Sequence, residues 1–252
     1  MKKKILKKCL LLAFFSCALV FAGCVKKTGS YVIATDTTFA PFEFQDENKQ
    51  YTGIDIELLA AIAADQNLSY ELKPLGFSAA VAALESKQAD GVIAGMSITR
   101  ERREKYDFSE PYYNSGVVMA ARADDESVSS YENLKGKTVA VKIGTEGAAF
   151  AESIKDKYNF AIKYFDESPY MYEEVKTGNS AACFEDYPVM GYGISRGVGL
   201  KMTGAMEKGS SYGFAVLKGE NKELLAAFNK GLANIIASGE YERIINKYIA
   251  SE

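Results

Sequence analysis

The 252-residue chain carries 30 basic and 33 acidic side chains and no histidine, which gives a formal net charge of −3. Without histidine, Ser-His-Asp and Cys-His catalysis and most zinc sites are excluded. The acidic balance also argues against a nucleic acid as partner.

The N-terminal segment has the composition of an export signal. Five lysines within residues 2–8 precede an apolar stretch from Leu10 to Ala22, which is short for a membrane span. Gly23 and Cys24 follow in an order that resembles a bacterial lipobox, although Phe21 replaces the usual leucine. We predict a signal peptide over residues 1–23, a lipid anchor on Cys24 and a tether over residues 24–30, which hold the protein outside the cytoplasm at the cell membrane. The alternative is an ordinary signal peptide with an incidental cysteine.

Cys183 is the one cysteine that remains after Cys9, Cys17 and Cys24 are assigned to the signal peptide and the anchor. An intrachain disulfide in the mature chain is therefore excluded. Since Cys183 lies in an apolar run and no histidine can activate it, we predict a buried small hydrophobic residue rather than a nucleophile.

Downstream of the tether, strand patterns alternate with helical patterns. The predicted elements are strands over 31–34, 91–95, 138–141, 161–165 and 181–184, and helices over 51–64, 77–87, 224–236 and 241–249, with further helices starting near Gly144 and at Ser168. Ser78 and Ser168 are predicted N-caps. This alternation predicts an α/β fold with largely parallel sheets.

The predicted ligand site lies at four turns between strands and helices. In open parallel sheets, ligands bind beyond the carboxyl ends of the strands. These turns cover residues 35–38, 95–99, 142–146 and 185–187 and offer an arginine, a lysine and separated carboxylates. Such a set suits a small zwitterion.

Several runs of the chain are together similar to the family 3 solute-binding proteins of amino-acid importers, and most of all to the glutamine-binding proteins. They are ATDTTFAPFEF (34–44), GIDIEL (53–58), GMSITRER (95–102), DFSEPYY (107–113) and VAVK (139–142). The resemblance covers residues 31–250. It implies a periplasmic-binding-protein-like type II fold: a large lobe of residues 31–111 and 215–252, a small lobe of residues 117–209, and a two-strand hinge at 112–116 and 210–214.

The resemblance also implies a role for each site residue. Arg102 would bind the ligand carboxylate with the backbone near Ser97 and Thr145, and Asp186 would bind the amino group with the Gly95 carbonyl. Phe39 and Phe77 would flank the ligand carbon chain, and Asp36 and Lys142 would bind its side-chain amide.

Two positions depart from the glutamine-binding pattern. Glu185 stands where those proteins have histidine, and Glu146 stands where they often have glycine or alanine. If Glu185 faces the ligand, the site carries a net charge of about −1, which suits arginine or lysine. If Glu185 pairs with Lys142 or points outward, glutamine is favoured.

The implied function is a lipid-anchored, monomeric binding protein that hands a polar amino acid to an ABC permease, without enzyme activity, metal or cofactor. An alternative of another class is a dehydratase on the same fold, with Glu185 or Glu146 as the acid. A third is the sensing domain of a signalling receptor made with another chain.

Overall fold

Two five-stranded sheets, each covered by helices on both faces, make up the protein. The computed structural model describes residues 29–207, 209 and 211–249, so the predicted signal peptide, Cys24 and most of the tether lie outside the described residues. Within the described part of the chain, no helix is both long enough and apolar enough to cross a membrane.

The described elements comprise fourteen strands, eight α-helices and a short 3₁₀-helix at Tyr131–Leu134. The strands are β1 Tyr31–Thr35, β2 Phe44–Gln45, β3 Tyr51–Thr52, β4 Tyr70–Pro74, β5 Gly91–Val92, β6 Tyr106–Phe108, β7 Tyr113–Asn114, β8 Val117–Arg122, β9 Thr138–Lys142, β10 Ala161–Phe165, β11 Ala182–Asp186, β12 Leu200–Glu207, β13 Ser211–Tyr212 and β14 Ala215–Leu217. The helices are α1 Ile54–Gln66, α2 Phe77–Glu85, α3 Arg100–Lys105, α4 Glu146–Tyr158, α5 Ser168–Lys176, α6 Tyr187–Ser195, α7 Lys222–Ala237 and α8 Glu240–Tyr248.

The first sheet has the order β4-β1-β5-β14-β6, and we call it, with α1, α2, α3, α7 and α8, the large lobe. β4, β1 and β5 are parallel, and β14 is antiparallel to both of its neighbours. Ile33 of β1 packs with Ile62 of α1 and Phe228 of α7 on one face. Leu84 of α2 packs with Val92 of β5 on the other. Burial on both faces explains the apolar runs that contain β1 and β5, whereas the edge strand β4 is mostly half-buried and more polar.

The second sheet has the order β10-β9-β11-β8-β12, and we call it, with α4, α5 and α6, the small lobe. β10, β9 and β11 are parallel, and β8 is antiparallel to β11 and β12. Ala151 of α4 packs on one face, and Met171 of α5 packs with Cys183 on the other. Cys183 is fully buried, as predicted.

Between the lobes, β7 pairs with β13 in a short antiparallel ladder. These two strands lie in the segments that were predicted as the hinge; the hinge motion itself stays a prediction. The predicted α/β fold is confirmed, but the sheets are mixed rather than largely parallel: each has two parallel and two antiparallel strand pairings.

Several predicted bounds were wrong. The helix predicted from Tyr51 begins at Ile54, because Tyr51 and Thr52 form β3 and Gly53 turns the chain with φ 127°. A Cβ at Gly53 would lie 2.1 Å from the Phe42 carbonyl oxygen, so the turn requires glycine. The N-caps are Gly76 and Glu167, each just before its helix, rather than Ser78 and Ser168.

Candidate functional site

The carboxyl ends of the parallel strands bring the predicted site residues to the surfaces where the two lobes meet. Asp36 directly follows β1, and Gly95 follows β5 by a short turn. Lys142 ends β9, and Asp186 ends β11. The site is therefore divided between the lobes, as expected for ligands that bind at strand ends.

A small cavity lies at this junction. Its lining residues are Asp36, Phe39, Phe77, Ala94, Gly95, Ser97, Arg102, Thr145, Glu146 and Asp186. The space inside is about 10 Å³, enough for about one water molecule. The lobes are thus closed against each other in this structure.

Asp36 and Lys142 form an ion pair between the lobes, and each side chain is only 1% exposed. The second Asp36 oxygen accepts a hydrogen bond from the Thr37 N–H at 2.7 Å. The Lys142 ammonium also lies 5.3 Å from the centre of the Phe39 ring. A buried pair of this kind is stable only while both partners are present, since one removed charge leaves the other unpaired.

Arg102 joins turns of both lobes. Its Nη1 donates to the Ser97 carbonyl at 2.8 Å within the large lobe, and its Nη2 donates to the Gly144 carbonyl at 2.9 Å in the small lobe. The guanidinium lies 5.3 Å from the centre of the Phe77 ring. Burial lowers the pKa of Arg102, and the nearby charges of Glu146 and Asp186 oppose that shift. A guanidinium in this position has the fork geometry that suits a carboxylate.

Asp186 is buried and accepts a hydrogen bond from the Tyr212 hydroxyl, which reaches across from β13. The same hydroxyl lies 3.0 Å from Ser115 Oγ. Burial, followed by the charge of Glu185, raises the pKa of Asp186 to about 8. Asp186 occupies the N-cap position of α6, but its side chain makes no capping hydrogen bond. Its carboxyl group is directed to the lobe junction instead.

Glu185 lies on the other side of β11, since neighbouring strand residues point to opposite faces. Its Oε2 accepts from Ser168 at 3.0 Å and from Tyr172 at 2.8 Å, both of α5. Burial raises the pKa of Glu185, and the charge of Lys142 lowers it. Glu185 is therefore absent from the cavity lining described above.

Ser97, Gly95 and Thr145 shape the cavity through a backbone carbonyl, a backbone conformation and a helix cap. Ser97 is buried and presents its carbonyl to Arg102. Gly95 has φ 52°, and a Cβ there would lie 2.4 Å from the Phe39 ring. Thr145 caps α4: its hydroxyl accepts from the Ala148 N–H at 3.2 Å.

Sequence reasoning did not name three residues of the site: Ala94 and Glu146 line the cavity, and Tyr212 contacts Asp186 without lining it. Glu146 was noted as a departure and as a candidate acid of the dehydratase alternative, but not as a ligand-binding residue; it lines the cavity, and its charge acts on Arg102 and Asp186. Its place at the first position of α4, directly after Thr145, was the available signal. Tyr212 had no local signal, because its role depends on β13 passing beside β11.

The fold and this divided site are those of a binding protein that closes two lobes on a small solute. The chain belongs to the bacterial extracellular solute-binding proteins, family 3, and matches that family over residues 31–251. The family and the fold class predicted from the sequence are both confirmed.

Relatives with known roles span nearly the whole chain. The arginine-binding extracellular protein ArtP of Bacillus subtilis is 29% identical over 249 residues, which are 97% of this chain and 95% of that protein. An ancestral arginine-binding protein bound to glutamine is 36% identical, with a TM-score of 0.82, and covers 88% of this chain and 99% of its own. The second substrate-binding domain of Lactococcus lactis GlnP, in open conformation, is 42% identical, with a TM-score of 0.62, and covers 90% of this chain and 97% of its own.

The two solved structures differ in an informative way. The open GlnP domain is more similar in sequence but superposes less well than the ligand-bound ancestral protein. A different angle between otherwise similar lobes produces this pattern, because each lobe then fits only separately. The small cavity between the lobes agrees with a closed arrangement in this chain.

Proposed function

We propose that this chain is the extracytoplasmic binding component of an ABC importer and captures a polar amino acid between its lobes. The observation that carries the proposal is the presence of Arg102 and Asp186 in one cavity. Arg102 is suited to the ligand carboxylate and Asp186 to its ammonium group. A zwitterion that leaves water needs both of its charges paired, because each unpaired ion costs several kcal/mol.

Glutamine is the first candidate ligand. Asp36 and Lys142 already neutralise each other, so opening their pair supplies one acceptor and one donor without net charge. A side-chain amide has one donor group and one acceptor group and matches that pair. The position of Glu185, which is held by Ser168 and Tyr172, removes a negative charge from the cavity and favours the same ligand.

A basic amino acid is the second candidate, and Glu146 is the observation that favours it. With Glu146 counted, three acidic side chains line or adjoin the cavity against Arg102 and Lys142. That balance suits a ligand with an additional positive charge. ArtP, the relative from Bacillus subtilis, is described as binding arginine.

Calorimetric titration of the protein, stripped of bound ligand, decides between the two. The ligands are the twenty common amino acids, ornithine and cystine. We expect glutamine to bind with a Kd in the micromolar range or tighter, about −8 kcal/mol or more favourable. Saturable arginine or lysine binding without a glutamine signal would replace the first candidate with the second. No saturable binding by any of these ligands would contradict the amino-acid proposal as a whole.

Glu146→Gln separates the candidates further, with Glu47→Gln on an exposed loop as the matched control. If Glu146 contacts a cationic side chain, its neutralisation weakens arginine or lysine and leaves glutamine nearly unchanged. If glutamine is the ligand, the change strengthens binding or leaves it unaltered, because a negative charge near the ligand carboxylate is removed.

Anchoring at the cell membrane through Cys24 is part of the proposal and is supported by the lipobox-like residues before it. Cys24→Ala is expected to release the protein from the membrane fraction or to leave it unprocessed. A variant that is processed and fractionates like the wild type would contradict the anchor. Incubation with prephenate or arogenate tests the dehydratase alternative, and we expect no product.

A further inference from the structure

Two carboxyl side chains, Glu43 and Asp55, lie completely buried behind the ligand cavity. Glu43 ends the turn that begins at Phe39: the Phe39 N–H donates to the Glu43 carbonyl at 2.8 Å, and the Glu43 N–H donates to the Phe39 carbonyl at 3.2 Å. Asp55 lies in the first turn of α1. Both residues are 0% exposed. Carboxyl groups this deeply buried normally have hydrogen-bond partners for every oxygen.

In the part of the chain that the structure describes, hydrogen-bond donors reach Asp55 but not Glu43. Oδ2 of Asp55 accepts from the Gly95 N–H at 2.7 Å and from the Tyr112 hydroxyl at 2.8 Å. Oδ1 of Asp55 and both oxygens of Glu43 have no protein donor among the described residues. Two donors stabilise an ionised Asp55, whereas nothing of the kind stabilises an ionised Glu43.

A proton shared by Glu43 and Asp55 would give their unpaired oxygens a hydrogen bond and would remove one of the two negative charges. Two adjacent ionised carboxylates without donors would repel each other in a medium of low polarity. Burial, then the charges of Asp55 and Asp36, raise the pKa of Glu43 well above its usual value, and the charge of Lys142 lowers it. Burial also raises the pKa of Asp55, while hydrogen bonds from the Gly95 N–H, Tyr112 and Glu43 lower it. The charges that act on Glu43 are those of Asp55, Asp36 and Lys142, and the two carboxylates favour a proton on Glu43.

We propose that Glu43 stays protonated at neutral pH and donates a hydrogen bond to the Asp55 carboxylate, and that this acid pair positions Gly95 and Tyr112. Gly95 carries the carbonyl assigned above to the ligand ammonium, and Tyr112 directly precedes β7. The Asp55 carboxylate thus holds both Gly95 in the cavity wall and Tyr112 at the start of the strand crossing.

Tyr112, which directly precedes β7, is also held by a second helix, α8. The Tyr241 hydroxyl of α8 donates to the Tyr112 carbonyl at 2.6 Å. Tyr112 is itself buried. Its hydroxyl and its carbonyl are therefore held by two different helices, with Asp55 on α1 as one of the two attachment points. Glu43 acts through Asp55 and is a positioning residue, without contact to the ligand.

The first test detects the proton directly in the full-length chain. Glu43→Gln keeps the size of the side chain and supplies an N–H donor to Asp55, so the variant is expected to fold. The infrared carbonyl band of a protonated carboxylic acid, recorded at pH 7.5, should be weaker in Glu43→Gln than in the wild type. Other buried acids, including Asp186 and Glu185, contribute equally to both proteins and cancel in the difference. Glu47→Gln, on an exposed loop, should leave the band unchanged.

The second test uses the pH dependence of unfolding. A raised folded-state pKa gives stability that is fully present below the unfolded pKa of Glu43, near 4.3, and is lost as the pH rises. From about pH 5, above the unfolded pKa, up to neutral pH, the wild-type unfolding constant should therefore rise about tenfold per pH unit relative to Glu43→Gln. Parallel pH profiles, an unchanged infrared band, or a Glu43→Gln variant that does not fold would each overturn the proposal.

The third test concerns positioning and rests on the proposed function, whereas the first two do not. Glu43→Ala removes the hydrogen bond proposed from Glu43 to Asp55, while the Gly95 and Tyr112 donors remain. The variant should weaken amino-acid binding roughly tenfold, the scale of one buried hydrogen bond. Glu43→Gln should restore most of that loss. Loss of affinity in both variants to the same degree would contradict positioning by a neutral donor. Absence of binding in the wild type would instead contradict the proposed function, and the proton would still be decided by the first two tests.

Discussion

Arg102 donates to the Ser97 and Gly144 carbonyls, and we expect a ligand carboxylate to replace them as its acceptor. Arg102→Ala should leave that carboxylate buried and unpaired, at a cost of about 2–5 kcal/mol. We expect the Kd to rise at least thirtyfold, at about 1.4 kcal/mol per decade. Arg103→Ala, an exposed neighbour on α3, is the control and should bind normally in the same titration. Equal affinities for the two variants would show that Arg102 is only a link between the lobes.

We predict that ligand binding changes the protonation state of the Asp186 carboxyl group. Its pKa is raised to about 8 in the closed, unliganded protein. A ligand ammonium favours the ionised carboxylate and lowers that pKa, so binding should release a proton at neutral pH. Affinity should then decrease as the pH falls below about 8, by up to about tenfold per unit.

Calorimetry in buffers with different ionisation enthalpies measures the released proton. The observed binding enthalpy should vary with the buffer in the wild type. In Asp186→Asn the variation should disappear together with most of the affinity. A buffer-independent enthalpy in the wild type would mean that Asp186 is already ionised before the ligand arrives.

At the residue scale, sequence reasoning works where the chain itself fixes the geometry. Asp36 follows a strand of one lobe and Lys142 ends a strand of the other, so the turn positions predicted that both belong to one site; their ion pair was not predicted. Glu185 and Asp186 are neighbours in sequence, but strand alternation sends them to opposite faces, and the motif could not say which face is which. Tyr212 reaches Asp186 through a strand crossing that has no local signature.

At the scale of elements, β1, β5, β9 and β11 were predictable, because each lies in a buried apolar run. β10 was predicted from its alternating pattern, whereas β4, whose sequence YELKP is mostly half-buried, was missed. β14 and β8 were not predicted either, since each runs antiparallel inside its sheet and pairs with strands distant in sequence. The N-caps were misplaced by one or two residues because Gly76 and Glu167 precede the serines that looked like caps. Backbone conformation decided those ends, without a side-chain hydrogen bond.

The β7–β13 ladder leads to a prediction about an element. Tyr212 of β13 holds Asp186 of the small lobe while the lobes are closed. Tyr212→Phe removes this hydroxyl and should shift the ligand-saturated protein toward an open state, with a larger radius of gyration in small-angle scattering than the ligand-saturated wild type. Tyr170→Phe is the control, because Tyr170 is 63% exposed. An unchanged radius for Tyr212→Phe would show that other contacts, such as Asp36 with Lys142, suffice for closure.

For the whole molecule, the cavity volume requires lobe motion. About 10 Å³ cannot hold an amino acid, so the lobes must separate before a ligand enters and must close again around it. The strand crossings at 112–116 and 210–214 are expected to absorb the backbone change. Small-angle scattering of stripped protein should show a more compact particle when a saturating ligand is added. Identical profiles with and without ligand would contradict closure on this scale.

The position of β14 determines the order in which an exported chain can complete its two sheets. β14 lies between β5 and β6, yet it consists of Ala215–Leu217, far downstream of both. The strands of the small-lobe sheet all lie between Val117 and Glu207. As the chain emerges amino end first, the small lobe can finish its sheet while the large lobe still lacks β14, the strand that joins β5 to β6, and also α7 and α8. The lobe that begins to emerge first is thus the last to be finished, and the open edges of β5 and β6 must be kept from wrong partners until then.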